Sequence, residues 1–242
     1  MTWSIIARDA HGNLGMAIAS RFFAVGALCL HARSDVGALS TQALVNPLYG
    51  PAGIAALAAG TAAADVVADL IGNDAGRDHR QLHLIGARGA PAAYTGTACI
   101  DWCGHLVEDD FSVAGNMLAG PQVLAETARA FRASNRPPGT GPADAVNVLA
   151  ERLLAAMQAG EAAGGDKRGR QGAALRVVAG EDYPLLDLRV DDHDAPLDEL
   201  HRLLLKSRER FQPFVACLAR RADPVGVTDR DEIQRRVDAY HR

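Results

Sequence analysis

Thr2-Trp-Ser-Ile-Ile-Ala-Arg-Asp9, the turn residues His11-Gly12-Asn13 and the run Leu14-Gly-Met-Ala-Ile-Ala-Ser-Arg21 decide the reading of this chain. Two apolar runs of strand length, separated by Gly and Asn, predict a hairpin that opens the first sheet. Thr2 stands directly behind Met1, so trimming of Met1 would leave a hydroxyl and a free α-amine on one residue at the head of a buried strand. A hydroxyl becomes a nucleophile only when a nearby group takes its proton, and an α-amine with an ordinary pKa of about 8 can do so. The plain alternative is a threonine that opens the strand and has no chemical role.

Working outward, residues 27–31 and 36–41 read as further strands, and the Ala-rich stretch 51–71 reads as two helices or one kinked at Gly60. Strands return at 81–85, 92–95 and 111–113. Helical periodicity follows over 121–131 and 142–158, with a Pro/Gly loop at 134–141 between them. Two more strands are expected at 173–178 and 185–190, then a helix from about Pro196 to Cys217. A last short helix begins near Thr228, with Asp231 in a capping-box-like position. Strands and helices come in groups rather than in strict alternation, which predicts α+β architecture with antiparallel sheets covered by helices. The whole of 1–242 is read as one domain, with residues 196–242 as a C-terminal helical extension packing on it.

At 242 residues, 48% hydrophobic and 22% charged, the chain has the make-up of a globular protein with a sizeable core. The formal net charge of −4 argues against a general nucleic-acid binder. Arg8, Asp9 and His11 interrupt any secretory signal, and no apolar run is long enough to span a membrane, so a cytoplasmic protein with no membrane partner is expected. The four cysteines, Cys29, Cys99, Cys103 and Cys217, are too scattered for a disulfide framework and are expected to stay thiols. No cofactor is implied. A homo-oligomer is expected from the prevalence of closed assemblies, but no heptad or long apolar seam locates an interface.

Five blocks in order carry a resemblance: Thr2–Asp9, Ala19-Ser-Arg-Phe-Phe-Ala-Val-Gly26, Thr41-Gln-Ala-Leu-Val-Asn-Pro-Leu-Tyr-Gly50, Gly115-Asn-Met-Leu-Ala-Gly120 and Gly164-Gly-Asp-Lys-Arg-Gly-Arg-Gln171. Along nearly its whole length the chain resembles the family known as domain of unknown function 1028, usually assigned to the N-terminal-nucleophile (Ntn) hydrolase fold. The resemblance implies a four-layer αββα sandwich in which two antiparallel sheets are packed face to face and flanked by helices. The resemblance says less about a reaction; the leading reading is an Ntn-type amidohydrolase that cleaves the C–N bond of a small non-peptide amide, or an anionic substrate, with the N-terminal Thr exposed by removal of Met1. Proteasome-type enzymes of that fold carry an Asp before the Ser-Arg pair and a catalytic Lys. Here Ala19 fills the first place and no lysine precedes Lys167. Arg33 lies near the place of that lysine but could only stabilise charge, because a guanidinium does not give up its proton. The amine of Thr2 itself must then be the base.

Two readings stand for Asn116, between flexible glycines: an amide that donates to a developing oxyanion, or a residue that caps the next helix. Asn46 carries the same two readings. In the loop 164–171, Lys167, Arg168 and Arg170 beside Asp166 could hold a carboxylate or phosphate, with Arg21 as a further orienting cation. The alternative is a solvated turn. Cys99, Asp101, Cys103 and His105 alternate as though along one strand face, a pattern that converges poorly on a tetrahedral ion, so no metal is expected and His105 is read as a pocket residue. His31, His79 and His83 could be ordinary strand residues. Asp191-Asp-His193 reads as a capping turn with solvated charges. A competing class is a non-catalytic protein of the same fold that binds a small anion or serves an assembly.

Overall fold

The computed structural model describes residues 2–134 and 142–240, so Met1 and nearly all of the loop expected at 134–141 lie outside the described residues. Ten strands form two antiparallel sheets among them. The larger has the order β10-β9-β2-β1-β8-β7, built from β1 (Thr2–Arg8), β2 (Leu14–Ser20), β7 (Gly104–Val107), β8 (Phe111–Asn116), β9 (Gly172–Val178) and β10 (Leu186–Val190). The smaller has the order β3-β4-β5-β6, from β3 (Leu30–Arg33), β4 (Gly37–Ala43), β5 (Arg80–Gly86) and β6 (Ala92–Thr95). The expected opening hairpin forms, and its strands are the two central strands of the larger sheet, with Thr2 opposite Ser20 on one side and Asn116 on the other.

Side-chain alternation sorts β1 between two layers. Trp3, Ile5 and Ala7 point outward, into an apolar layer with Leu149, Leu153 and Met157. These three lie on α5 (Pro142–Ala162), which packs beside α4 (Gln122–Ala133). Ile6 points the other way and meets Met16, Ile18, Ala38 and Ile85 between the sheets. On the outer face of the smaller sheet, Leu39, Leu82 and Leu84 pack against α2 (Tyr49–Ala58) and α3 (Ala63–Gly72), with Val66 and Val67 closing that layer. Helix, sheet, sheet and helix therefore stack as the αββα sandwich expected from the sequence.

Several local expectations are corrected. Residues 27–31 do not start a strand, because Val25–Cys29 forms a short helix, α1, entered from Ala24 in the left-handed region (φ 51°). Gly26 permits this, since a Cβ there would lie 2.3 Å from the Cβ of Ala174. Residues 96–103 form a loop, so the Cys99–His105 alternation is not a strand face, and only β7 from Gly104 onward is extended. The expected helix from 196 to 217 breaks at Arg210 into α6 (Pro196–Glu209) and α7 (Phe211–Val215). The cap of α8 (Arg230–Ala239) is Asp229 rather than Thr228, and its carboxylate accepts the N–H groups of Asp231 and Glu232. No helix among the described residues is long and apolar enough to cross a membrane.

Candidate functional site

The layer between the sheets changes character along its length. Apolar at the Ile6 end, it is polar around Thr2, where Ser4, Ser20, Gln42, Gln81, His83, Ser112 and Asn116 are all buried. Buried polar groups need partners, and here they satisfy one another. The Oε1 of Gln81 accepts from Gln42 Nε2 at 2.8 Å and from Asn116 Nδ2 at 2.9 Å. Its Nε2 donates to Thr95 Oγ1 at 2.8 Å and to the Gly115 carbonyl at 2.8 Å. Both Gln42 Nε2 and Asn116 Nδ2 also approach the Thr2 carbonyl at 3.5 Å. Gln81 thus ties both sheets to the first residue of β1.

Beside this network, Ser4 Oγ lies 2.8 Å from His83 Nε2 and Ser112 Oγ lies 2.7 Å from His83 Nδ1. Burial lowers the His83 pKa to about 3, with a smaller push from nearby His105, so the ring is neutral at physiological pH.

Thr2 is itself 7% exposed, and its Oγ1 donates to Ser20 Oγ at 3.1 Å. Ser20 also lines a cavity of about 300 Å³ whose other walls include Trp3, Glu161, Asp166, Lys167 and Arg170. The loop 164–171 is folded onto the strand ends rather than left as a solvated turn. Asp166 pairs with Leu118 in an isolated bridge, and its carboxylate accepts the backbone N–H of Arg21 and of Arg168, each at 2.8 Å. The guanidinium of Arg21 donates in turn to the Arg168 carbonyl. Lys167 Nζ donates to the Asp101 carbonyl at 2.6 Å, and Arg170 lies 3.3 Å from Glu161. Burial pushes the Glu161 carboxyl up, while Arg170 pulls it the other way. Four cations and two carboxylates gather at this end, a balance that favours an anionic ligand.

The structure forms two groups, Thr2 with Asn116 between the sheets and Arg21 with Asp166, Lys167, Arg168 and Arg170 at the loop 164–171, linked through Ser20. Asn116 ends β8 six residues before α4 begins, so it caps no helix. Asn46 is placed elsewhere: its Oδ1 accepts the Leu48 N–H at the start of α2, and its Nδ2 donates to Asp74 on the outer side of the smaller sheet. His105 lies half-exposed on β7, held 2.9 Å from Thr95 Oγ1 and so joined to Thr2 through Gln81. Arg33 does not reach the site. It closes β3 opposite Gly37, and the five residue steps of β4 from Gly37 to Gln42 span roughly 16 Å, so antiparallel pairing carries it to the far end of the sandwich.

Three of the four cysteines are held as poorly nucleophilic thiols. Burial pushes the thiols of Cys29 and Cys103 up to about 12 and about 11, and raises Cys99 as well. Among the described residues no group of His, Cys, Asp and Glu is arranged to hold a metal ion. Asp191 pairs with Arg189, and the His193 ring accepts the Ala195 N–H just before α6. Gln42 and Gln81 are the residues that sequence reasoning missed as part of the site. The available signal was polar side chains at alternate positions, Ser40 with Gln42 and Gln81 with His83, on strands whose inward face should be apolar.

No curated protein matches this chain. A crystal structure of a DUF1028 protein from Silicibacter pomeroyi is similar at 30% identity and a TM-score of 0.83, covering 94% of this chain and 96% of that one. Anbu, the ancestral beta-subunit from Yersinia bercovieri, aligns at 10% identity over 85% of this chain and 94% of its own, with a TM-score of 0.39 that is too low to carry an argument. The model of a family of unknown function, DUF1028, matches residues 2–200, the span from Thr2 into the first turn of α6. With that match over most of its length, the chain belongs to the DUF1028 family.

Proposed function

We propose that the protein is an Ntn-type amidohydrolase that cleaves the C–N bond of a small anionic amide, with Thr2 as the nucleophile once Met1 is removed. What supports this reading is the position of Thr2 at the head of a central strand between two antiparallel sheets, its hydroxyl bonded to Ser20, which in turn lines a cavity that also holds Lys167 and Arg170. The sandwich architecture is the one the family resemblance implies, and in this reading the substrate carbonyl reaches Thr2 from the cavity that Ser20 lines.

In the proposed reaction the Thr2 Oγ attacks the carbonyl carbon while the α-amine takes the hydroxyl proton. The tetrahedral intermediate then collapses, the C–N bond breaks, and the ammonium returns its proton to the leaving nitrogen. Water attacks the resulting ester by the same route and releases a carboxylate. Asn116 supplies a donor for the oxyanion by swinging one N–H away from the Thr2 carbonyl, a contact already long at 3.5 Å. Such a donor typically contributes about 3 kcal/mol to the barrier. Arg21, Arg168, Lys167 and Arg170 hold the anionic part of the substrate, with Asp166 fixing the loop that presents them.

A β-lactone probe reports the nucleophile directly, because ring opening by Oγ leaves an ester on the attacking residue. Peptide mapping is expected to place the acyl adduct on Thr2 and to find none in Thr2→Ala. Equal labelling of both proteins, or an adduct on another residue, would contradict the assignment. A protein that binds small carboxylates but is never acylated would favour the non-catalytic reading.

A further inference from the structure

The surface around α1 and the start of α2 is unlike the outward faces of α4, α6 and α8. Residues 22–30 and 36–64 contain no Asp, Glu, Lys, Arg or His, although 22% of the chain is charged. Part of 36–64 is the buried strand β4, so the solvent-facing residues decide the matter. Phe22 is 49% exposed, Phe23 62%, Leu28 45%, Leu44 62% and Leu48 72%. On α2 the outward positions are Pro51, Ala52, Ala55 and Ala58, all exposed. The outward faces of α4, α6 and α8 instead carry ion pairs such as Glu126–Arg129, Glu199–Arg202 and Glu232–Arg236.

His31 joins the two parts of this face. Its ring lies 3.2 Å from the Leu28 carbonyl, and it presses so closely on Gly50 of α2 that a Cβ there would be 2.3 Å away. With roughly 200 Å² per aromatic side chain, Phe22 and Phe23 together present roughly 200 Å² to water. The three leucines bring the exposed apolar area of these five side chains to roughly 400–500 Å², which as one patch is the upper range for a lone monomer. That is the apolar centre of an interface whose full size is about 800 Å² per partner.

We propose that a second copy of this chain packs on this face, α2 against α2 across a two-fold axis. A two-fold contact sets each patch against itself, so net charge would meet its own sign; the segments of this patch carry none, and the bordering Arg80 at Leu44 and Arg176 at Leu30 are each paired with a carboxylate, Asp74 and Asp187. The alanine positions on α2 let two helix axes approach to about 8 Å. A membrane is the poorer partner, because faces that lie on anionic lipid pair apolar side chains with Lys and Arg. The contact begins one residue beyond Arg21, so the two candidate sites of the dimer lie beside it. None of this depends on the reaction proposed above.

Sedimentation velocity of the full chain, from nanomolar to high micromolar concentration, tests the contact. The wild type is expected to be a dimer, and Phe23→Glu with Leu48→Glu to weaken association by at least about a hundredfold. Both positions are on the surface, so circular dichroism should match the wild type. Hydrogen exchange of the unmodified protein supplies a readout without substitutions: α1 and the outward side of α2 should lose protection on dilution. A wild type that stays monomeric, a double variant that stays dimeric, protection independent of concentration, or binding of the monomer to anionic vesicles would each overturn the proposal.

Discussion

Replacing Gln81 by leucine is expected to lower the stability of the protein by about 4 kcal/mol, since leucine fills the space but leaves two buried amide groups without their acceptor. Gln42 Nε2 and Asn116 Nδ2 both donate to Gln81 Oε1, at 2.8 and 2.9 Å, and keep only the long 3.5 Å approach to the Thr2 carbonyl. Gln42, Gln81 and Asn116 are all buried, so water cannot replace what is lost. Urea unfolding measures the effect, with an unchanged m-value marking a loss in the native state. A loss below about 1 kcal/mol would mean that these amides are not the tie between the sheets. Thr95→Val, which removes one partner at the half-buried edge of the network, should cost less.

The second large effect depends on pH and comes from His83. Its pKa in the folded state is about 3, against an unfolded value of about 6.5, because burial excludes the charged ring. Between those values the unfolded chain binds the proton and the native protein does not, so stability falls as pH falls, by about 1.4 kcal/mol per pH unit. Above pH 7 both forms are neutral and the contribution is flat.

Comparison with His83→Gln isolates this group from the carboxylates. Glutamine can still bond Ser4 and Ser112 but does not titrate. From pH 7 to pH 4 the wild type should lose about 3 kcal/mol more than the variant. Parallel pH profiles for the two proteins would show that His83 is protonated in the fold. Asp74 adds a loss of the same sign at lower pH. The Tyr49 hydroxyl first, and then Arg80, hold its carboxyl well below the ordinary range, and that stabilisation disappears on protonation.

What could be read from the sequence follows from how local each signal is. The hairpin of residues 2–20 is legible because two apolar runs of strand length and a Gly-Asn turn are encoded within the segment, and the α2–α3 break because it needs a glycine, Gly60, whose φ is +89°. Helix α1 was not legible, since five apolar residues fit strand and helix alike and the choice rests on distant contacts. Ala174 faces Gly26, and the Asp191 carbonyl accepts the Ala24 N–H.

The site divides in the same way. The loop 164–171 is legible from its own composition as a glycine- and cation-rich segment, whereas the place of Arg33 is not, because nearness along the chain does not survive a strand that runs away from Thr2. Gln81 lies far from Thr2 in sequence, and only the face-to-face stacking of the sheets shows that it holds the end of β1.

The central claim is that the chain works with a free amine on Thr2, and intact mass of the purified, untagged protein tests it most directly. The account predicts a mass lower by one methionine residue, with Thr2 as the first residue found by N-terminal sequencing. Protein that retains Met1 in full would leave the Thr2 hydroxyl with no amine to take its proton, and would contradict the account.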